Sequence, residues 1–178
     1  ASSVLPPVSV PASPTTVRWA EGSIPPWEWE QSVATAVERI TAGELDKVVL
    51  ARDLIAHVDG ALDVRFLINQ LARAYPTCWT FVVEDLFGAT PELLVRRTGG
   101  LVMSRVLAGT VRRQGDKSTD ADLALDLMKS DKDLAEHEYA VHSVAKALAT
   151  HCTDLEVPEQ PRVLELANVQ HLATDITS

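Results

Sequence analysis

Four side chains in this sequence carry the chemistry of proton transfer or metal binding in settings where the neighbouring residues would fix them: Lys47, Glu92, Glu136 and His171. Lys47 opens Asp46-Lys47-Val48-Val49-Leu50-Ala51-Arg52. It is either a solvated lysine at a strand edge or one directed into a pocket, where desolvation disfavours the ammonium and leaves an amine able to act as a base. Glu92 lies in Gly88-Ala89-Thr90-Pro91-Glu92-Leu93-Leu94. Pro91 fixes its own φ and biases Thr90 towards an extended shape, so Glu92 leaves a rigid corner and begins a strand. It is a turn-flanking surface carboxylate or a general acid kept protonated by burial. In Leu107-Ala108-Gly109-Thr110, a glycine at the end of a strand lets a ligand approach the backbone, and consecutive N–H groups there can receive a carboxylate; an ordinary bulge glycine is the plainer reading. Ser130-Asp131-Lys132-Asp133-Leu134-Ala135-Glu136-His137-Glu138 starts a helix, and its first acids complement the helix dipole. Glu136 shares a narrow face with Ala140, Ser143 and Ala147, where a carboxylate could reach an enclosed cation. Neighbours on a helix point about 100° apart, so Glu136, His137 and Glu138 cannot all ligate one ion. His171 falls between two expected strands and reads equally as a structural or a functional histidine.

The elements that must position these residues follow from hydrophobic period and punctuation. Residues 1–26 hold six of the ten prolines and read as an extended linker or edge segment. Val33, Ala36, Val37 and Ile40 recur at helical spacing after Pro25-Pro26 and before Gly43, which predicts a helix over Trp27–Ala42. Alternation over Lys47–Val58 predicts a strand ended by Asp59-Gly60, and Val64, Leu67 and Leu71 predict a helix over Val64–Ala74. Strands are expected over Trp79–Asp85, Leu93–Arg97 and Leu101–Leu107, with Gly99-Gly100 as a hairpin turn. Helices are expected over Asp120–Lys129 and Leu134–Ala149, then strands over Val163–Val169 and Leu172–Ile176. Runs of sequential strands beside helices predict an α+β fold with a largely antiparallel sheet.

The 178 residues, 46% apolar and 23% charged, suffice for one globular domain or a piece of a larger one. A net charge of −9 argues against a nucleic-acid or anionic-membrane surface, and no apolar run is long enough to span a bilayer. It leaves room for a small anion held by a metal ion or a few local donors. Cys78 and Cys152 have no metal-ligand spacing, and two buried thiols in a reducing, cytoplasmic compartment is the expectation. The chain stops directly after the apolar stretch Val163–Ile176, which leads us to expect that the domain continues.

Taken in order, Lys-Val-Val-Leu-Ala-Arg, Gly-Ala-Thr-Pro-Glu-Leu-Leu, Leu-Ala-Gly-Thr-Val-Arg-Arg, Ser-Asp-Lys-Asp-Leu-Ala-Glu-His-Glu and His-Leu-Ala-Thr form one series. From Trp27 to Ser178 that series resembles the chorismate-utilising enzymes, and most of all the isochorismate synthases. The resemblance implies a β-sandwich with flanking helices around one active site, of which residues 27–178 would form the N-terminal part. It implies that Lys47 is the general base activating water, Glu92 the general acid for the departing hydroxyl, and Glu136 a Mg2+ ligand. Ala108, Gly109, Thr110 and His171 would contact the substrate, chorismate. Anthranilate synthases lack the lysine matched by Lys47, and aminodeoxychorismate synthases carry a lysine where Ala108 stands. Isochorismate synthase is therefore the first expectation and salicylate synthase the alternative. Members of the family continue past His-Leu-Ala-Thr with a second metal-binding glutamate and the groups that clamp the substrate carboxylates. A further expectation is thus that the chain is an inactive half-domain alone and needs the missing C-terminal part or a complementing chain.

Overall fold

Pro26 supplies the first turn of a helix with a preset φ and no N–H to leave unsatisfied. The computed structural model, which describes residues 13–178, has that helix, α1, over Pro26–Thr41. It is preceded by strand β1 (Val17–Glu21), which pairs antiparallel with β2 (Leu54–Val58) in the register Val17↔Val58 to Glu21↔Leu54. Residues 1–12 of the proline-rich segment lie outside the described residues, and part of the remainder is the exposed strand β1. The strand expected over Lys47–Val58 is only half present. Alternation supplies two faces, but a strand also needs a ladder partner. Beyond Glu21 the chain turns, and the Asp53 carboxylate takes the Ser23 N–H (2.9 Å) and hydroxyl (2.8 Å). Residues 47–53 are left without regular structure, and Val49 is 82% exposed.

Helix α2 covers Val64–Ala74 as expected, and the chain divides within it into two compact units, one through Phe66 and one over Leu67–Ser178. In the second unit, β3 (Trp79–Val83) pairs with β4 (Leu86–Thr90), an element absent from the sequence reading. Gly88 conceals it: the residue has low strand propensity, but here it lies opposite Phe81, whose ring would stand 3.0 Å from a Cβ at that position. Gly99 and Gly100, both at positive φ, make the two-residue turn joining β5 (Leu93–Thr98) to β6 (Leu101–Arg112). Strand β6 runs five residues further than its apolar stretch, because β8 (Val169–Thr177) accompanies it from Met103↔Thr177 to Arg112↔Val169. With β7 (Arg162–Glu165) the sheet order is β5-β6-β8-β7, and every pairing is antiparallel.

Helices α3 (Lys117–Leu127) and α4 (Asp131–Leu148) are capped by Asp116 and Ser130, whose side chains accept the backbone N–H groups of Thr119 and Asp133. Leu172, Thr174 and Ile176 of β8 lie buried on the face that meets α4, beside Ser104 and Val106 of β6. Asp175 points the other way, into ion pairs with Arg105 and Arg162, and Arg105 lies over the Trp79 ring (5.9 Å). Asp120, 3% exposed at the start of α3, fixes that helix to the sheet. It accepts from Arg113 Nε (3.0 Å) and Gln114 N (2.7 Å), while its carbonyl accepts from the buried Gln170 amide (3.0 Å). The fold is α+β, with antiparallel sheets throughout the described residues.

Candidate active site

Four of the expected site residues converge where β6 breaks register. Between Ala108 and Thr110 the pairing with β8 slips by one residue, and Gly109 occupies the bulge at φ +80°. A side chain there would be strained in conformation and would press on Leu172 Cδ1 (3.1 Å) and the Asp133 Cβ (3.2 Å). The position therefore requires glycine twice over: for φ, and because α4 approaches the backbone at that point. Past the bulge, Thr110 is opposite His171, and its Oγ1 is 2.9 Å from the imidazole Nδ1. His171 is not between strands, as the expected strand bounds placed it, but inside β8. Burial holds its imidazole below the ordinary value of 6.5, against the smaller opposing pulls of the Gly109 backbone and the Glu92 carboxylate.

Glu92 leaves the Thr90-Pro91 corner as expected, with Thr90 Oγ1 accepting its N–H (3.2 Å) and its own Oε1 receiving the Leu107 N–H at 3.4 Å. Of the two readings of its surroundings, the structure shows the surface one. The residue is exposed, because β5 is the outer strand of its sheet and no further strand stands beside it among the described residues. Lys47 belongs to the first compact unit, in the irregular segment before β2.

Glu136 is on α4, half-buried, with Lys132 Nζ 3.9 Å from its Oε1. It stands one turn after Asp133, the residue packed against Gly109. Ser143 and Ala147, on the same narrow face, are exposed, so that face is open here and not an enclosed cation site. No group of three His, Cys, Asp or Glu side chains able to hold a metal occurs among the described residues. Glu136 fits Mg2+ as a single hard oxygen ligand, since that ion commonly takes one or two protein carboxylates and completes its shell with water and substrate oxygen. Cys78 and Cys152 are half-buried free thiols, and burial pushes the Cys78 thiol up. A cavity of about 700 Å3 lies elsewhere, along the flank of α4 formed by Leu134, Glu138, Val141 and Ala145, opposite Glu136. None of the expected site residues lines it. Two residues that shape the bulge, Asp133 and His137, were not given this place from sequence: Asp133 was explained by the helix dipole, and His137 was weighed only with Glu136 and Glu138 at a metal ion.

The bulge, the Thr110 hydroxyl and the His171 imidazole thus lie together where β6 pairs with β8. Comparison with known proteins gives the class. Residues 8–178 match the family model described as chorismate binding enzyme, and the chain belongs to that family. Among curated relatives, it is 34% identical over 153 residues to the isochorismate synthase MenF of Bacillus subtilis (strain 168), covering 84% of this chain and 32% of that protein. Among solved structures, it superposes on Bacillus anthracis DhbC, assigned as a 2,3-dihydroxybenzoate-specific isochorismate synthase. The TM-score is 0.85 at 35% identity, over 94% of this chain and 47% of that one. Escherichia coli MenF, the menaquinone-specific isochorismate synthase, gives 0.79 at 29% identity, over 98% and 41%. The chain thus spans between a third and a half of the length of these relatives.

Proposed function

We propose that this chain is the base- and acid-bearing part of an isochorismate synthase, which converts chorismate to isochorismate in the complete domain. The observation that carries this reading is the Gly109 bulge of β6 with Thr110 and His171 beside it, and Glu92 bonded to Leu107 on the same strand, in a chain whose relatives include isochorismate synthases.

In this reading Lys47, as the neutral amine, takes a proton from water as its oxygen bonds to C2 of the ring. The ring double bonds shift, and the C4 hydroxyl leaves as water with a proton from the Glu92 carboxyl. An acid on one side and a base on the other is the minimum such a displacement needs. Glu92 is exposed in this chain, so substrate and the rest of the domain must exclude water from it before it can hold its proton. The bulge N–H groups and the Thr110 hydroxyl would receive substrate oxygens, and the uncharged His171 would hold the Thr110 side chain in place. Glu136 would hold Mg2+, which when bound neutralises carboxylate charge on a dianionic substrate. This chain offers one such ligand, so the second carboxylate would come from the remainder of the domain or from a complementing chain.

The test is turnover of chorismate by the complete protein containing this chain. Lys47→Ala and Glu92→Gln should each lower kcat by a factor on the order of 10² to 10⁴, the usual worth of a placed acid or base, with little change in thermal midpoint. Near-normal turnover in either variant removes that residue from the reaction.

A further inference from the structure

His137 is the most thoroughly enclosed imidazole on α4, 3% exposed, and the reaction proposed above gives it no task. Its Nδ1 is 3.1 Å from the Ala108 carbonyl oxygen, and its Nε2 is 2.8 Å from Thr174 Oγ1. A carbonyl can only accept, so Nδ1 carries the proton. In the uncharged ring Nε2 then accepts from the Thr174 hydroxyl. One side chain on the helix thereby grips both strands of the β6–β8 pair.

Ala108 is the last residue in register before the bulge. A bulge leaves one residue out of the ladder, so its shape depends on how the flanking peptides are tied. On one side, Gly109 is shaped by the contact with α4 at Asp133. On the other, Thr110 is held by His171. The Ala108 peptide itself is tied to α4 by His137. Glu136, about 100° around the helix, faces another direction.

We propose that His137 is a positioning residue, which fixes the Ala108 peptide so that the backbone N–H groups of Gly109 and Thr110 are presented to substrate. The role in substrate contact rests on the reading given under the proposed function; the hold on the bulge does not. A metal-ligand role is incompatible with this geometry, because both ring nitrogens already serve protein oxygens.

Amide hydrogen exchange of the 178-residue chain, followed by 15N NMR, tests both parts. His137→Asn places an amide nitrogen near the position of Nδ1 and keeps the bond to Ala108. His137→Gln reaches the position of Nε2 and keeps only the bond to Thr174. Exchange at Gly109 and Thr110 should be about tenfold faster in His137→Gln and within about twofold of the parent in His137→Asn, as expected for loss or retention of one buried hydrogen bond. The Val102 amide, bonded to Ser178 at the far end of β6, should be unchanged in both and so reports general unfolding. Equal behaviour of the two variants overturns the proposal, as does a parent-like His137→Gln. Thr174→Val provides a second test, since it removes only the Nε2 partner. It should leave the bulge amides as in the parent, and acceleration equal to that of His137→Gln would also overturn the assignment. Chorismate added to the complete protein containing this chain should shift the Gly109 and Thr110 resonances. If it does not, the reading of the bulge as a substrate contact fails, while the exchange comparison still decides the role of His137.

Discussion

His171 shows how one side chain can be matched to a motif and yet misplaced in the fold. It falls in the gap between two expected strands, yet Gln170 beside it is buried and bonded to the Asp120 carbonyl, and β8 runs straight through both residues. The exchange of a polar side chain's water for a buried partner is a long-range event, and nothing local in the sequence records it. Glu92 is the reverse case. Pro91 fixes the corner from local sequence alone, but burial depends on what lies beside β5, which is beyond the reach of local pattern. The His171 environment has a measurable consequence. Because burial lowers the folded-state pKa below the unfolded value of 6.5, the unfolded chain takes up a proton more readily. The stability His171 contributes is therefore complete above that value and lost as pH falls through 6.5 towards the folded-state pKa. Urea midpoints should fall between pH 7 and pH 5, and His171→Asn should make that fall smaller. Equal pH dependence in both proteins would show that the imidazole is not held uncharged.

At the level of elements, α1, α2 and the glycine hairpin of β5–β6 were legible because their signals are local: Pro25-Pro26, a clean helical stripe, and Gly99-Gly100. The elements misread were those whose extent is set by a partner. Strand β2 is short because β1 ends at Glu21, β6 is long because β8 accompanies it, and β4 exists because Phe81 covers Gly88. The Gly109 bulge belongs with this second group. Its glycine was visible in the sequence, but the reason only glycine serves there comes from α4. Gly109→Ala should destabilise the chain by about 1–3 kcal/mol, the usual cost of forcing a side chain into the left-handed region. Denaturant unfolding measures this. A neutral substitution would mean that the bulge relaxes freely and is no fixed feature of the site.

For the molecule as a whole, the central fact is length: the superposition with DhbC takes in 94% of this chain and 47% of that one. The five motifs identify the family from sequence, and the fold supports them, yet the site they describe is divided. Glu92, Thr110 and His171 gather on one sheet, Glu136 is on α4, and Lys47 is in the other compact unit. One half-buried carboxylate offers little advantage over the hydration shell of Mg2+, which dehydrates reluctantly. Calorimetric titration of the 178-residue chain should therefore show weak Mg2+ binding or none, with or without chorismate. Tight binding without chorismate would reveal a metal centre that does not depend on a second ligand from outside this chain.

The claim that Lys47 and Glu92 act as a base and acid couple on chorismate is tested most directly by running the complete protein in 18O-labelled water. Addition of water at C2 predicts isochorismate carrying one 18O in its new hydroxyl, formed by the parent and lost in both Lys47→Ala and Glu92→Gln. Unlabelled isochorismate, or labelled product formed at the parent rate by Lys47→Ala, would contradict the account.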